Sequence, residues 1–168
     1  MGLSDTNSAT VERKSDRELV VTRTVKGPAR LVFEAWARPE LFQRWWVPES
    51  FQMTIISYEA DVRTGGTYRL VMGHPSSEQP MAFFGRYIEV VPHTRIVWTN
   101  DEGDAEGPVT TVHFEEHGGE TLVTIHDLYP SKEALDEAIA SGSTSGWGQQ
   151  LQQLGRLVAE LSAGVSGS

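Results

Sequence analysis

The sequence WGQQLQQLGRLVAEL, at residues 147–161, decides the fold of this chain. Its apolar residues recur every three or four positions, which predicts a helix with one buried stripe: Trp147, Leu151, Leu154, Val158 and Leu161. The residues from about 67 to 129 read almost wholly as strands. A single amphipathic helix that follows antiparallel strands must bury its stripe on their sheet, because no other element remains to cover it.

Six strands are predicted between the middle of the chain and this helix. They cover about residues 52–60, 65–72, 81–91, 94–100, 109–116 and 120–128. The connections are short, and Gly118-Gly119 is a tight hairpin signal, so neighbouring strands are expected to run antiparallel. An earlier strand, with Leu19, Val21 and Val25 on one face, adds a seventh.

Three shorter helices complete the predicted elements. Pro28 suits the first helical position, and Ala29, Val32, Phe33 and Trp36 follow at helical spacing. A second helix is predicted from Pro39 to about Arg44, before Trp45-Trp46. A surface helix is predicted over 131–140, with Ser131 as its N-cap. The expected fold class is α+β.

Length and composition narrow the classes of protein. The 168 residues suit one domain, predicted at 17–162, with disordered tails at 1–16 and 163–168. The net charge of −9 argues against nucleic acid and anionic membrane surfaces as partners. The absence of cysteine excludes disulfides and thiolate chemistry, and fits a cytoplasmic protein. Neither a signal peptide nor a membrane-spanning run is visible.

Several short motifs follow one another along the chain in an order typical of one family. They are Ala29–Trp36 with Pro39-Glu40, Trp45-Trp46 with Pro48, Asp61, Arg63, Gly65, Gly66 and Tyr68, then Gly85, Tyr87, Pro92, Trp98, Gly146-Trp147 and Leu151. Over residues 17–161 the chain resembles the homologues of the heat-shock-protein-90 ATPase activator, in the START-like (helix-grip, Bet v 1-like) superfamily. The resemblance implies a seven-stranded antiparallel sheet that grips the C-terminal helix around a cavity. It also implies binding of hydrophobic small molecules or of proteins.

The alternation of side chains along the strands predicts which residues line such a cavity between sheet and C-terminal helix. The expected lining is Trp46, Tyr68, Leu70, Met72, Phe83, Tyr87, Trp98, Phe114, Ile125, His126, Trp147, Leu151 and Leu154. Trp45 and Trp46 are adjacent, so one is expected in the core and the other in the cavity wall. A dry, filled interior is the alternative to an open cavity.

The titratable residues indicate little chemistry. His113 and His117 lie on a predicted strand, ~13 Å apart, too far to share one zinc ion. Asp61 and Arg63 are two residues apart beside a turn, which favours a structural ion pair over a phosphate loop. His126, with Asp127 and Tyr129, is the one cluster that could supply a general base or orient a guest. No catalytic residue, metal or cofactor is predicted.

The predicted function is therefore non-catalytic binding of a small hydrophobic or aromatic molecule. One alternative is a protein-interaction module, similar to a co-chaperone that activates an ATPase. Another is an enzyme that uses the cavity, such as a cyclase or hydrolase. The expected partner is the small molecule, with a protein partner or a homodimer as further candidates.

Overall fold

The computed structural model describes residues 10–47, 52–101, 107–140 and 147–167. Over these ranges it has eight strands and four helices, so the predicted α+β class is confirmed. In chain order they are β1 (Thr10–Arg13), β2 (Glu18–Lys26), α1 (Ala29–Ala37), α2 (Pro39–Phe42), β3 (Thr54–Ala60), β4 (Thr67–His74), β5 (Ser77–Val91), β6 (Arg95–Thr99), β7 (Val109–His117), β8 (Glu120–Leu128), α3 (Lys132–Ala140) and α4 (Trp147–Gly167).

All the strands belong to one antiparallel sheet with the order β1-β2-β8-β7-β6-β5-β4-β3. The register shifts in β3 between Ile55 and Ser57, and in β5 between Tyr87 and Glu89. Such bulges bend a strand and increase its twist. The sheet has an inner face, which carries the buried residues Val21, Ile96, Val112, Val123 and Ile125.

Strand β1 shows that the predicted disordered tail is wrong for residues 10–13. It pairs with β2, with Thr10 opposite Thr22 and Arg13 opposite Leu19, and raises the strand number from seven to eight. All four of its residues are exposed. The strand is therefore held by backbone pairing at a sheet edge, and it has no apolar alternation by which the sequence could reveal it.

Helix α4 carries the predicted apolar stripe. Leu151, Leu154 and Val158 have no exposed surface, and the helix packs on β2 and α1. Gly27, at the end of β2, allows the close contact, because a Cβ atom there would lie 2.5 Å from Val158 Cγ1. The helix continues to Gly167, so the predicted tail is wrong for residues 163–167. This segment contains no proline to interrupt helical hydrogen bonds.

Helices α1 and α2 pack on the same inner face. Helix α1 contacts β7 and β8, and α2 contacts β3. Trp45, just after α2, is fully buried, and its indole Nε1–H donates to Ala35 O at 2.9 Å. Its ring lies 4.6 Å from that of Trp36. Trp45 is thus a core residue that fixes the chain after α2.

Helix α3 covers a second, smaller core. Leu19, Tyr129 and Leu135 are buried together there. The helix begins after Ser131, whose hydroxyl accepts from Ala134 N–H at 3.1 Å. The predicted N-cap is confirmed.

Leu154→Ala should test how strongly the stripe holds α4. Because Leu154 is fully buried, its truncation should lower the free energy of unfolding by about 2–5 kcal/mol. Gln152→Ala, at an exposed position of the same helix, should change it by less than about 0.5 kcal/mol. Urea unfolding measures both. Similar small losses for the two variants would contradict the packing of α4.

Candidate functional site

A cavity of about 160 Å³ lies between the inner face of β3–β6 and the segment from α1 to Trp46. Most of the described residues that line it are apolar: Trp36, Phe42, Trp46, Val62, Leu70, Met72, Phe83 and Trp98. The others are uncharged polar residues: Tyr58, Tyr68, Tyr87 and Asn100. The cavity is therefore an aromatic chamber with hydroxyl and amide groups in its wall.

The structure brings together Trp46 and those predicted lining residues that lie on β4, β5 and β6. The strand residues around the cavity are Tyr68, Leu70, Met72, Phe83, Tyr87 and Trp98. The predicted division between the two adjacent tryptophans is also observed, because Trp45 is in the core and Trp46 faces the cavity.

The remaining apolar predictions lie in the packed core and not at the cavity: Phe114, Ile125, Trp147, Leu151 and Leu154. Phe114 packs edge-on against Phe33 and Trp36, at 5.8 and 5.7 Å. The expectation that α4 lines this cavity is therefore wrong, because no residue of the helix is among those that line it. The stripe of α4 is buried against β2 and α1, and the cavity lies beside it.

His126 was expected at the cavity but lies on the outer face of the sheet. Its neighbour Ile125 faces inward and is fully buried, and adjacent strand residues point to opposite faces. His126 Nε2 is 2.7 Å from Glu18 Oε2. This hydrogen bond is the main reason why the pKa of Glu18 is lowered. His126 is thus hydrogen-bonded to Glu18 at the surface and contributes no base to the cavity.

Stacked aromatic rings build one wall of the cavity. The Phe42 ring lies between Trp46, at 4.7 Å and 26°, and Tyr58, at 4.8 Å and 21°. Trp36 and Trp98 lie 6.5 Å apart. Such rings present flat apolar surfaces that change conformation little.

Sequence reasoning missed part of the lining: Trp36, Phe42, Tyr58, Val62 and Asn100. Trp36 and Phe42 belong to predicted helices, and the predicted lining included no residue of those helices. Tyr58 lies on β3, where the bulge between Ile55 and Ser57 breaks the alternation of inward and outward side chains. The alternation therefore does not show which face Tyr58 occupies. Asn100 follows Trp98 by two residues, and that shared parity was the available signal.

Helix α4 holds the cavity wall without lining it. The side-chain amide of Gln150 donates to Trp46 O. The amide of Gln153, which is buried, donates to Trp45 O at 2.9 Å and to Val47 O at 2.8 Å. Buried carbonyl groups need such partners. These bonds fix the backbone of 45–47, and hence the position of the Trp46 ring.

Three tyrosines and Asn100 form the polar part of the wall. Tyr58 and Tyr87 lie close enough together in this wall to affect each other's pKa. Burial raises the pKa of Tyr58 to about 12, against the smaller opposite effect of the Tyr87 hydroxyl. Burial is also the main cause that raises the pKa of Tyr87. Both hydroxyls are therefore neutral donors and acceptors near neutral pH.

Tyr68 has a different environment. Its hydroxyl donates to Thr99 O at 2.8 Å. Gly85 makes space for this arrangement, because a Cβ atom there would lie 2.0 Å from Thr99 O and 3.0 Å from Tyr68 Cε1. The absence of a side chain at Gly85 thus leaves room for the Tyr68 ring.

A chain of polar contacts runs from the cavity to a buried carboxyl group. Tyr68 Oη and Asn100 Oδ1 are 3.4 Å apart, and Asn100 Nδ2 donates to Thr110 Oγ1 at 3.3 Å. Thr110 in turn donates to Asp127 Oδ1 at 2.5 Å. Asp127 is 6% exposed. Burial raises its pKa to about 6, although the bond from Thr110 acts in the opposite direction.

Other features of the sequence have structural roles. Arg63 Nε and Asp61 Oδ2 are 2.6 Å apart at an exposed turn, which confirms the predicted ion pair. Among the residues that the structure describes, no three potential metal ligands come together. In the same part of the chain, no helix is long and apolar enough to cross a membrane.

Asp127→Asn should reveal the cost of the buried carboxylate. The folded state raises this pKa from 3.8 to about 6, so the folded protein binds the proton more tightly and loses stability as the pH rises between these values. Asparagine keeps an acceptor for Thr110 but cannot ionise. Relative to wild type, the variant should gain up to roughly 3 kcal/mol in unfolding free energy between about pH 4 and pH 7.

Urea unfolding across this pH range measures the difference, and Asp136→Asn provides the control. The pKa of Asp136 is lowered, chiefly by its hydrogen bond with Lys132. Wild type therefore gains stability from Asp136 as the pH rises, and this control should show a pH trend of opposite sign. A flat difference for Asp127→Asn would contradict the assigned burial.

Comparison with protein families matches residues 26–159 to one described as activator of Hsp90 ATPase homolog 1-like protein. The match runs from the end of β2 to within α4, and so includes the whole cavity. Comparison with curated proteins found no match. The sequence resemblance drawn above is confirmed by the family match.

Solved structures share the fold at low identity. A Rhodobacter sphaeroides protein is 20% identical, with a TM-score of 0.81 over 91% of this chain and 99% of that one. A Nitrosomonas europaea protein is 23% identical, with a TM-score of 0.79 over 90% and 99%. An AHSA1-like protein from Aeromonas hydrophila is 20% identical, with a TM-score of 0.67 over 85% and 94%. Together with the matched residues, this fold shows that the chain belongs to the family of activator of Hsp90 ATPase homolog 1-like proteins.

Proposed function

We propose that the protein binds a small apolar or aromatic molecule in the cavity beside α4 and does not transform it. The observation that carries this proposal is the cavity itself, about 160 Å³ in volume and walled mainly by aromatic rings. An engineered apolar cavity of about 150 Å³ is large enough to bind benzene. A guest with one aromatic ring therefore matches the space.

Burial of apolar surface supplies the binding energy. Each Å² of apolar area that a guest removes from water contributes roughly 25 cal/mol. The stacked rings of Trp46, Phe42 and Tyr58 are already in place, so little ordering of side chains opposes binding. The site is thus preorganised for a flat molecule.

The chemistry of the wall supports binding without catalysis. None of the described lining residues is a carboxylate, a histidine, a lysine or an arginine. The raised pKa of Tyr58 makes this phenol a poor general base near neutral pH. The cavity-based enzyme would have to rely on Asp127, which reaches the cavity only through Thr110 and Asn100.

Toluene binding to wild type and to Leu70→Phe tests the proposal. Wild type should bind about one toluene per chain in a saturable manner, because the cavity holds one ring. Leu70 lines the cavity and is 4% exposed, so a larger side chain there should fill the space and weaken binding at least about tenfold. Isothermal titration calorimetry measures both affinities.

The control is Ile88→Phe, an enlargement at a half-exposed residue of β5 outside the cavity. Its affinity should equal that of wild type. Thermal unfolding should first show that both variants are folded. Wild type that takes up no toluene, or Leu70→Phe that binds it as well as wild type, would refute the proposed site.

Exposed apolar side chains on the outer face favour a second candidate, the ATPase-activating interaction suggested by the family description. Phe84 is 40% exposed and follows Phe83, which faces the cavity. Ile56 is 60% exposed and lies over Gly73, on the same outer face. Apolar groups of this kind are common in protein interfaces. The homodimer and the cytoplasmic location stay predictions.

Phe84→Ser should test this second candidate. If the outer face docks on an Hsp90 chaperone, wild type should raise the rate of ATP hydrolysis by that chaperone, and Phe84→Ser should reduce the increase at least about fivefold. Ile139→Ser, at an exposed residue of α3, should leave the increase unchanged. A steady-state ATPase assay measures the rates. No stimulation by wild type would exclude this activity for the chaperone tested.

A further inference from the structure

The hydrogen-bonding capacity of the cavity wall indicates which guest it suits, if the proposed binding function holds. The amide hydrogens of Asn100 are directed away from a guest, because Nδ2 donates to Pro108 O at 2.8 Å and to Thr110 Oγ1 at 3.3 Å. The hydroxyl hydrogen of Tyr68 is donated to Thr99 O. These donors therefore bind the protein's own oxygens and stiffen the wall.

Tyr58 and Tyr87 differ from these groups in one respect. Each hydroxyl carries one hydrogen and can also accept. Both residues line the cavity, and the structure shows no hydrogen bond from either hydroxyl to another described residue. The pair thus offers an O–H that can donate to an oxygen of a guest.

The cavity is also selective for charge. None of the described lining residues carries a charge, and Asp61 and Arg63, near Tyr87, are paired with each other at an exposed turn. An anion placed here would lose its hydration without gaining a cationic partner, and a cation would find no carboxylate in the wall. The cavity therefore favours neutral molecules.

We propose that the guest is an uncharged, single-ring aromatic molecule bearing an oxygen that accepts a hydrogen bond from the Tyr58–Tyr87 pair. The aromatic walls bury the ring, and the pair fixes the orientation of the oxygen. A phenol belongs to this class, whereas its methyl analogue toluene has the same shape but lacks the oxygen. A benzoate ion has the ring and oxygens but also a charge.

A cycle of affinities with phenol and toluene isolates this hydrogen bond. The protein variants are Tyr58→Phe, Tyr87→Phe and the double variant, which removes both hydroxyls. The ratio of phenol affinity to toluene affinity should fall about 3- to 10-fold relative to wild type in the double variant and in the single variant that removes the donating hydroxyl, the size expected for one net hydrogen bond. Shifts of indole N–H signals in two-dimensional NMR spectra give the dissociation constants. Toluene affinity itself should change little.

Tyr129→Phe is the matched control, because Tyr129 is a buried tyrosine in the second core, outside the cavity. It should leave the ratio unchanged. Sodium benzoate should not shift the indole signals at concentrations where phenol saturates. Circular dichroism and thermal unfolding verify that the variants are folded. If one cavity variant does not fold, the remaining variants still test the tyrosine pair.

The outcomes separate this inference from the proposed function. Toluene binding with a phenol-to-toluene ratio that is unaltered in all three cavity variants would overturn the role of the tyrosine pair and leave the binding site intact. Benzoate binding as tight as phenol binding would overturn the neutrality of the guest. Failure of wild type to bind either toluene or phenol would overturn both proposals.

Discussion

The burial of the α4 stripe is the interaction on which the rest of the structure depends. Leu151, Leu154 and Val158 are fully buried, and the helix packs on β2 and α1. This contact lies toward one side of a broad sheet, in which β3 and β4 are at the opposite end of the strand order from β2. The inner face at that end must be shielded from water by other side chains. Aromatic rings from α1, α2 and Trp46 supply the cover.

Rigid rings can cover a surface without filling the space above it. Phe42 is held by stacking against Trp46 and Tyr58, and Trp36 packs against Trp45 and Phe114. None of these rings can collapse into the cavity without breaking its own contacts. Helix α4 adds a further constraint, because Gln150 and Gln153 hold the backbone carbonyls of 45–47. The cavity thus depends on the same helix that does not line it.

The sequence predicts the elements well, because each leaves a periodic pattern. Val112 with Phe114, and Val123 with Ile125, follow at strand spacing on one face, and the structure has strands at Val109–His117 and Glu120–Leu128. Where no pattern exists, prediction fails, as for the exposed strand β1. The cavity is harder to predict from the sequence. The alternation of residues along a strand shows which face of the sheet each one occupies, but not whether the element packed on that face fills the space. Leu154 on α4 and Leu70 on β4 were both expected to face inward. Leu154 is packed within the core, whereas Leu70 borders the cavity.

The position of Asp127 illustrates how this fold separates a reactive group from the cavity. A carboxyl group at the wall would invite water and ions into the aromatic chamber, because an ionised group there would remain unpaired. Asp127 instead lies behind Thr110, which donates to it at 2.5 Å, and Asn100 closes the gap to Tyr68. Every link of this chain orients the next, so it stiffens the polar end of the cavity. The carboxyl group thereby acts on the shape of the site through its neighbours, while the surfaces that a guest would touch stay neutral.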